Sequence, residues 1–158
     1  MSVASRPAVG AFILSAVTQA DPGSEQLVRR AFEAIHQREM DVILELFTED
    51  AYFFPMTGTR VESGGYYGHA GIREYFEEMA SVWEEMHPYA NEVRDLGDSM
   101  VIVIGGCEVR GHRSGAGADT AMAWLQEIRA GRIASHRAFA NSIEAYEAYE
   151  AVTGAVSD

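Results

Sequence analysis

The hydrophobic periodicity of this chain changes near its middle, and that change constrains the fold more than any other feature. In the first half, apolar side chains recur three and four positions apart, as Val28, Phe32 and Ile35 do, which is the spacing of an amphipathic helix. Beyond Pro88 the pattern is that of β-strands. Helices first and antiparallel strands later predict an α+β protein in which the helices pack on one face of a bent sheet.

Local signals set the predicted bounds of these elements. Asp21 and Asp41 are predicted helix N-caps, and His87-Pro88 is predicted to stop the third helix. The predicted elements are helices from Asp21-Pro22, from Asp41 to Asp50 and over Gly71–Met86, a short aromatic strand over Ala51–Pro55, and strands over Tyr89–Leu96, Met100–His112, Thr120–Arg129 and Ile133–Phe139.

Glycine and capping signals organise the second half of the chain. Gly105-Gly106 inside a long β-rich run predicts a bulge or a bend in a curved sheet. Ala130-Gly131 predicts the turn between the last two strands. Asn141 stands three residues before Glu144, which is the pattern of a capping box, and it opens a C-terminal helix that runs to about Val152.

Composition excludes several classes of protein. A chain of 158 residues has the size of one domain. Its 24 acidic and 12 basic residues give a net charge of −12, which argues against nucleic acid and anionic membrane surfaces as partners. The single cysteine, Cys107, excludes an internal disulfide and is expected to act as a small buried hydrophobe.

Both ends of the chain are predicted to lie outside the domain, which spans residues 23–153. Ala8–Val17 is an apolar run of ten residues, which is too short to cross a bilayer. It resembles a secretory signal only weakly, because the single charge of Arg6 precedes it. We interpret residues 1–22 as an extension that packs on the domain or on a partner, and residues 154–158 as a tail. A cytoplasmic location is favoured, with secretion as the alternative.

Several segments resemble the SnoaL-like proteins of the nuclear transport factor 2-like superfamily, which includes the ketosteroid isomerases. They are Glu25–Ala34, Leu46–Ala51, Tyr67–Phe76, and the ending from Gly131 to Phe139 followed by a helix rich in Glu and Ala. The resemblance implies a SnoaL-like α+β barrel, in which a cone-shaped curved antiparallel sheet wraps around about three N-terminal helices, with a short C-terminal helix. This cone hosts many reactions and also non-catalytic binders, so the resemblance is specific for the fold and not for a reaction.

The resemblance also allows the residues that one known reaction requires to be compared with this sequence. Ketosteroid isomerases need a carboxylate base and an oxyanion hole made by a Tyr and a protonated acid. The corresponding positions of this sequence hold Pro55, Ala31 and Trp124. Steroid isomerisation by that mechanism is therefore not expected.

The cone fold implies an apolar pocket between sheet and helices, where small hydrophobic molecules commonly bind. Met122, Trp124 and Gln126 share one strand face by the two-residue period, and the resemblance turns this face and that of His136 toward the pocket. The residues assigned to substrate binding are Ile35, Phe47, Tyr52, Phe54, Phe76, Met122, Trp124, Gln126 and Ala138. Each aromatic among them is also the kind of side chain that simply fills a core.

Three side chains are candidates for acid and base chemistry. His136, among apolar neighbours, can act as a neutral base near pH 7, or it can be a buried histidine satisfied by a backbone carbonyl or a Tyr hydroxyl. His112 is placed at the pocket mouth or, alternatively, at a solvated strand end. The hydroxyl of Tyr75, or that of Tyr52, can donate a hydrogen bond to a substrate oxygen or lie at the rim.

No metal ion or other cofactor is expected, because no pair of His and acidic residues has metal-ligand spacing in the sequence. His36 and His87 are predicted at helix ends, where the helix dipole favours a cation. Glu108 shares its strand face with Arg110, which predicts a surface ion pair.

These features favour a cofactor-free enzyme that performs isomerisation, cyclisation, dehydration or epoxide opening on a small hydrophobic metabolite. One alternative is a non-catalytic protein that binds a hydrophobic ligand. The other is an interaction module that forms a homodimer through the outer face of the sheet, which is compatible with either activity.

Overall fold

Apart from two strands of two residues each, β1 and β3, the helices and strands of this computed structural model follow one another in the predicted order. The structure describes residues 18–19 and 22–153. The elements are β1 (Thr18–Gln19), α1 (Pro22–Gln37), α2 (Met40–Leu46), β2 (Phe47–Phe54), β3 (Tyr66–Tyr67), α3 (Gly68–Val82), β4 (Trp83–Gly97), β5 (Met100–Gly111), β6 (Gly117–Arg129), β7 (Arg132–Phe139) and α4 (Ser142–Thr153). The predicted apolar run Ala8–Val17 and the predicted tail lie outside the described residues. None of the described helices is long and apolar enough to cross a membrane.

The predicted helix starts are confirmed in part. Helix α1 begins at Pro22, as predicted. Helix α2 begins at Met40, and Glu39 occupies its cap position without a capping side-chain bond. The prediction that Asp41 caps this helix is therefore wrong. Asp41 lies in the first turn, where a carboxylate interacts favourably with the helix dipole.

Helices α2 and α3 both end four residues earlier than predicted. The residues that follow them, Phe47 and Trp83, already have extended backbone conformations. Phe47 is paired with Ile133 of β7, and Trp83 is paired with Gly111 of β5. Strand pairing therefore overrides the helical periodicity of the sequence at both points.

The early end of α3 places His87 and Pro88 inside β4, so the prediction that they stop a helix is wrong. Pro88 is opposite Cys107 of β5. On the other side of β4, the pairing with β1 involves only Arg94 and Asp95. Pro88 thus lies where β4 has one neighbour among the described strands, and a missing N–H is tolerated at such an edge.

The seven described strands form one mixed sheet in the order β1-β4-β5-β6-β7-β2-β3. Five of its six pairings are antiparallel, but β2 runs parallel to β7, so the prediction of a wholly antiparallel sheet is wrong at this pair. The long connection through α3 and β4–β6 makes the parallel pairing possible. Because β1 and β3 are separate edges, the described sheet is an open curved layer and not a closed barrel.

The helices cover both faces of this sheet. Helices α1, α2 and α3 pack on one face, in a core that includes Phe32 and Trp124 with ring centroids 4.8 Å apart. Helix α4 covers the other face, where Ala145 packs with Ile102 and Ala123. The prediction of helices on one face therefore holds for the first three. The predicted cap of α4 is confirmed, because the Glu144 N–H donates to Asn141 Oδ1 at 2.9 Å.

Strands β4 and β5 approach each other closely at Gly105, where the sequence predicts a bulge or bend. A Cβ atom on Gly105 would overlap the carbonyl oxygen of Tyr89. The extra residue lies on β4, because Ala90 pairs with Gly105 and Glu92 pairs with Ile104, which leaves Asn91 unpaired. Such a bulge increases the local twist and bends the strand.

Replacing Gly105 with alanine is expected to lower the free energy of unfolding by about 2–3 kcal/mol, because the new methyl group overlaps the Tyr89 carbonyl. Gly111→Ala, at the end of the same strand, is the control. A Cβ there has Ser114 Oγ as its nearest neighbour, at 3.7 Å, and the expected loss is below about 0.5 kcal/mol. Urea unfolding measures both variants, and equal losses would contradict the proposed role of Gly105.

Candidate functional site

A cavity of about 350 Å³ lies between the sheet and helices α1 and α3. Its volume falls within the range of roughly 300–1,000 Å³ that is typical of small-molecule sites. Most of its wall is apolar and comes from both helices and from strands β2, β4, β5, β6 and β7. Met56 and Thr57, which are both exposed, also line it, so the segment between β2 and β3 forms its mouth.

Seven of the residues predicted from the sequence line this cavity. They are Ile35, Tyr75, Phe76, Met122, Trp124, His136 and Ala138. The pairing of β6 with β7 places Trp124 beside Ala138, so the inward faces of the two strands are neighbours. The two-residue period therefore groups these positions of β6 and β7 correctly, and the resemblance correctly turns their faces toward the cavity.

Two aromatic residues of β2 do not line the cavity, so their predicted position is wrong. Phe53 is buried and faces the cavity, whereas Tyr52 and Phe54 are half-buried and point to the opposite side of the strand. The Tyr52 hydroxyl donates to the carbonyl of Gly64 at 2.9 Å, on that side. The alternation of this strand places its odd-numbered residues, Ala51 and Phe53, inside.

Three further predicted residues, Phe47, Gln126 and His112, are not part of the cavity wall. Phe47 is fully buried in the core, with its ring centroid 5.9 Å from that of His136. Gln126 is fully buried and contacts His136 directly. His112 follows the end of β5, is exposed, and lies with Nε2 2.9 Å from the carbonyl oxygen of Ala80. Its placement at the pocket mouth is wrong, and the alternative of a solvated strand end is correct.

His136 is the imidazole in the cavity wall, and its side chain is almost fully buried. Gln126 Nε2 donates to His136 Nδ1 at 2.8 Å, and the Phe53 ring stacks on the imidazole at 4.6 Å. Its partner is thus a side-chain amide rather than a backbone carbonyl or a Tyr hydroxyl. Because Nδ1 accepts a hydrogen bond from Gln126, the neutral ring carries its own proton on Nε2, which is the nitrogen left for a ligand.

Burial determines the protonation of this imidazole. Desolvation lowers the pKa of His136 from 6.5 to about 3, so the ring is neutral at pH 7. This arrangement is destabilising at Gln126, because Gln126 Oε1 is buried without a hydrogen bond among the described residues. An unpaired buried polar atom costs roughly 1–3 kcal/mol.

Tyr75 is the second polar side chain that sequence analysis places in the cavity. Its ring packs against Phe53, Tyr66 and Phe76, with centroid distances of 4.9, 5.3 and 4.9 Å. Burial raises the pKa of its phenol well above the ordinary value, so the hydroxyl keeps its proton. This hydroxyl has no hydrogen-bond partner among the described residues and is free to donate to a ligand.

The mouth segment is held against α3 by a carboxylate. Glu78 accepts hydrogen bonds from the Tyr66 hydroxyl at 2.7 Å and from the Thr59 N–H at 2.9 Å. Arg60 adds an exposed ion pair with Glu74 at 2.9 Å. These contacts position Met56 and Thr57 at the cavity.

Other wall residues are absent from the sequence-based prediction. They are Phe32, Phe53, Pro55, Met56, Thr57, Met79, Trp83, Met86, Pro88, Cys107, Val109, Thr120 and Ala121. Phe32 and Met79 belong to the same helical stripes as Ile35 and Phe76, so the periodicity could have identified them. The side chains of β4 line the cavity from an extended strand, whereas their sequence predicts a helix up to Met86.

The wall carries no full charge among the described residues. Its ionisable groups are His136, Tyr75 and Cys107, and burial raises the pKa of the Cys107 thiol to about 11. All three are therefore neutral at pH 7. The cavity can bind the apolar part of a ligand and form hydrogen bonds with a polar atom of the same ligand, but its wall lacks a carboxylate for general base chemistry.

The family of this chain follows from its sequence as well as from the fold. Residues 28–136 match the SnoaL-like domain, and the chain belongs to this family. The predicted resemblance and the predicted cone fold are confirmed. No curated protein sequence matches the chain.

Several solved structures share the fold at low sequence identity. TerC, co-crystallised with polyporic acid, has a TM-score of 0.64 at 20% identity, over 79% of this chain and 96% of its own. Rv0760c from Mycobacterium tuberculosis, in complex with estradiol-17β-hemisuccinate, has a TM-score of 0.64 at 11% identity, over 74% and 92%. SalBIII, an epoxide hydrolase/cyclase-like enzyme with a role in pyran ring formation in the polyether salinomycin, has a TM-score of 0.63 at 20% identity, over 77% and 93%. At these identities the likeness concerns the fold alone.

The buried neutral ring predicts a specific pH dependence of stability. Its folded-state pKa of about 3 lies below the ordinary 6.5, so the unfolded chain takes up this proton first as the pH falls. Between pH 6 and pH 4, this group is expected to remove about 2.5 kcal/mol from the free energy of unfolding. Urea unfolding of the wild type and of His136→Asn should differ in pH dependence by this amount, whereas parallel curves would mean that His136 is not held neutral.

Proposed function

We propose that this protein binds a small hydrophobic metabolite in the cavity and that His136 forms a hydrogen bond with the polar atom of that ligand. The observation that carries the proposal is an uncharged, apolar wall containing one buried imidazole whose Nε2 has no hydrogen-bond partner among the described residues. Burial of the ligand supplies affinity, and the imidazole selects a ligand with a polar atom at that point. The compounds crystallised with TerC and Rv0760c support this class of ligand.

The orientation of the Gln126 amide decides whether His136 Nε2 donates or accepts a hydrogen bond. Since its Nε2 donates to His136 Nδ1, the ring offers Nε2–H as a donor, and the matching ligand atom is an acceptor such as a carbonyl oxygen. If the amide turned over and the ring changed tautomer, Gln126 Oε1 would accept from Nδ1–H and His136 Nε2 would become an acceptor. That arrangement satisfies the unpaired Oε1 but leaves the amide nitrogen without a partner.

A second function, cofactor-free catalysis, is favoured by the Tyr75 hydroxyl. Tyr75 and His136 pack on the same Phe53 ring, with centroid distances of 4.9 and 4.6 Å. Two donors in one dry cavity can polarise a carbonyl or an epoxide oxygen and so assist isomerisation, cyclisation, dehydration or epoxide opening. The activity described for SalBIII supports this candidate. Binding is supported better, because a ring with a pKa of about 3 is a weak base at pH 7.

A thermal-shift screen tests the binding function with pairs of compounds that share a skeleton and differ in one carbonyl oxygen. Steroids, aromatic polyketides and terpenoid epoxides supply the skeletons. A ligand at a hundred times its Kd stabilises the protein by about 2.7 kcal/mol. The carbonyl member of a pair is expected to bind about fivefold more tightly than its deoxygenated partner, since a hydrogen bond contributes about 1 kcal/mol.

Variants of Gln126 and His136 test in the same screen whether this hydrogen-bonded pair selects the ligand. Gln126→Leu combined with His136→Phe removes both members and leaves no amide unpaired, so binding should persist while the preference for the carbonyl compound disappears. Phe54→Leu, on the outer side of β2, is the control and should behave as the wild type does. A carbonyl preference that survives in the double variant would exclude His136 as the selecting group. Conversion of the ligand by the wild type, lost in Tyr75→Phe, would establish the catalytic function instead.

We also propose that the protein forms a homodimer through the outer face of the sheet. Tyr67 is 63% exposed there, and its ring lies 5.0 Å from that of Tyr52, which in turn stacks on Phe54 at 6.1 Å. Clustered exposed aromatic side chains are typical of interfaces. Light scattering is expected to give twice the monomer mass for the wild type and the monomer mass for Tyr67→Glu. Ile143→Glu on α4, where Ile143 is 68% exposed, should leave the dimer intact, and a monomeric wild type would contradict the proposal.

A further inference from the structure

Three side chains from α1 and β4 form a cluster outside the cavity. One ligand-capable atom from each of Glu33, His36 and His87 lies within 4.8 Å of the other two. Glu33 and His36 are three residues apart on α1 and therefore project from the same side of that helix. The ring of His87 stacks on that of His36, with centroids 3.9 Å apart and planes at 10°. We propose that this cluster is a binding site for Zn²⁺.

The donor set suits this ion. Two imidazoles and one carboxylate are ligands that Zn²⁺ accepts, and three protein ligands with a water molecule complete a tetrahedron. Zinc–ligand distances of about 2.0–2.2 Å require the ligand atoms to lie roughly 3–3.5 Å apart. In the stacked arrangement the in-plane lone pairs of the two imidazoles are nearly parallel, so the rings must rotate out of the stack to direct both nitrogens at one ion. Glu33 and His36 stand three residues apart on α1, but the second imidazole comes from a distant strand, so the sequence alone does not show the complete set.

Neighbouring side chains orient two of these ligands. His87 Nδ1 lies 3.6 Å from Glu108 Oε1, which leaves Nε2 of the same ring for the ion. The Glu33 carboxylate accepts a hydrogen bond from Gln37 Nε2 at 2.9 Å. Carboxylates and amides in such positions fix ligand geometry in known metal sites.

The predicted ion pair between Glu108 and Arg110 is wrong, since Arg110 is paired with Glu84 and Glu85.

The electrostatic surroundings also attract a cation. His36 and His87 border a surface depression of about 430 Å³ whose wall includes Glu85, Glu108 and Asp119. One positive side chain lies in that wall, Arg110, and it is paired with Glu84 at 2.7 Å and with Glu85 at 2.9 Å. The depression gives water access to the fourth position of the ion.

The site would join two elements that also build the ligand cavity. Ile35 precedes His36, and Pro88 follows His87, and both neighbours line the cavity. Zn²⁺ bound to His36 and His87 would therefore hold α1 against β4 at the cavity wall. The proposal does not depend on the proposed ligand-binding function, and its test uses no hydrophobic ligand.

Isothermal titration of the full chain, first treated with a chelator, tests the site with ZnCl₂. The wild type is expected to bind one equivalent of Zn²⁺. His36→Ala and His87→Ala should each weaken binding at least tenfold, because each removes an imidazole ligand. His112→Ala removes an exposed histidine outside the cluster and should leave the affinity unchanged.

A second measurement reports the ligands directly. Co²⁺ in place of Zn²⁺ is expected to give the visible absorption bands of low-symmetry nitrogen and oxygen coordination in the wild type and in His112→Ala, but not in the two cluster variants. His36→Gln and His87→Gln, with circular dichroism as the check of folding, repeat the test with side chains that retain polarity. Equal Zn²⁺ affinities in the wild type and the cluster variants, or binding below one equivalent at saturation, would overturn the proposal.

Discussion

The close approach of β4 to Gly105 is the contact on which the rest of the structure depends. The Tyr89 carbonyl occupies the space that a side chain at Gly105 would need, and the unpaired Asn91 allows β4 to bend there. The bent strand contributes Trp83 and Met86 to the cavity wall. A flat sheet would pack directly on α1 and α3, and core side chains would fill the volume between them.

Desolvation decides the chemistry of the cavity that this bend creates. The wall buries an imidazole, a phenol and a thiol, and desolvation is the largest effect on each, so His136, Tyr75 and Cys107 are all held in their neutral forms. Gln126 orients the imidazole through Nδ1 and leaves Nε2 for a ligand. The site therefore selects largely apolar molecules that carry a hydrogen-bonding atom. The same burial makes the imidazole a weaker base.

Sequence patterns succeeded where a short period operates within one element. The two-residue period grouped Trp124 with Met122 and His136 with Ala138 on common strand faces that line the cavity, and the capping box at Asn141 marked the start of α4. The patterns failed where pairing with a distant strand competes with local preference. Phe47 and Trp83 continue helical stripes in the sequence, yet their backbones join β7 and β5, because strand pairing satisfies their backbone groups.

The sequence by itself determined the class of the fold and the family, and it grouped the inward residues of β6 and β7 on common strand faces, because these depend on periodicity and on recognisable segments. Only the tertiary structure decided which face of β2 lines the cavity, which partner holds His136, and that His36 meets His87. Those facts depend on strand register and on the crossing of α1 with β4. Both are set by contacts between residues far apart in the chain, which no local pattern encodes.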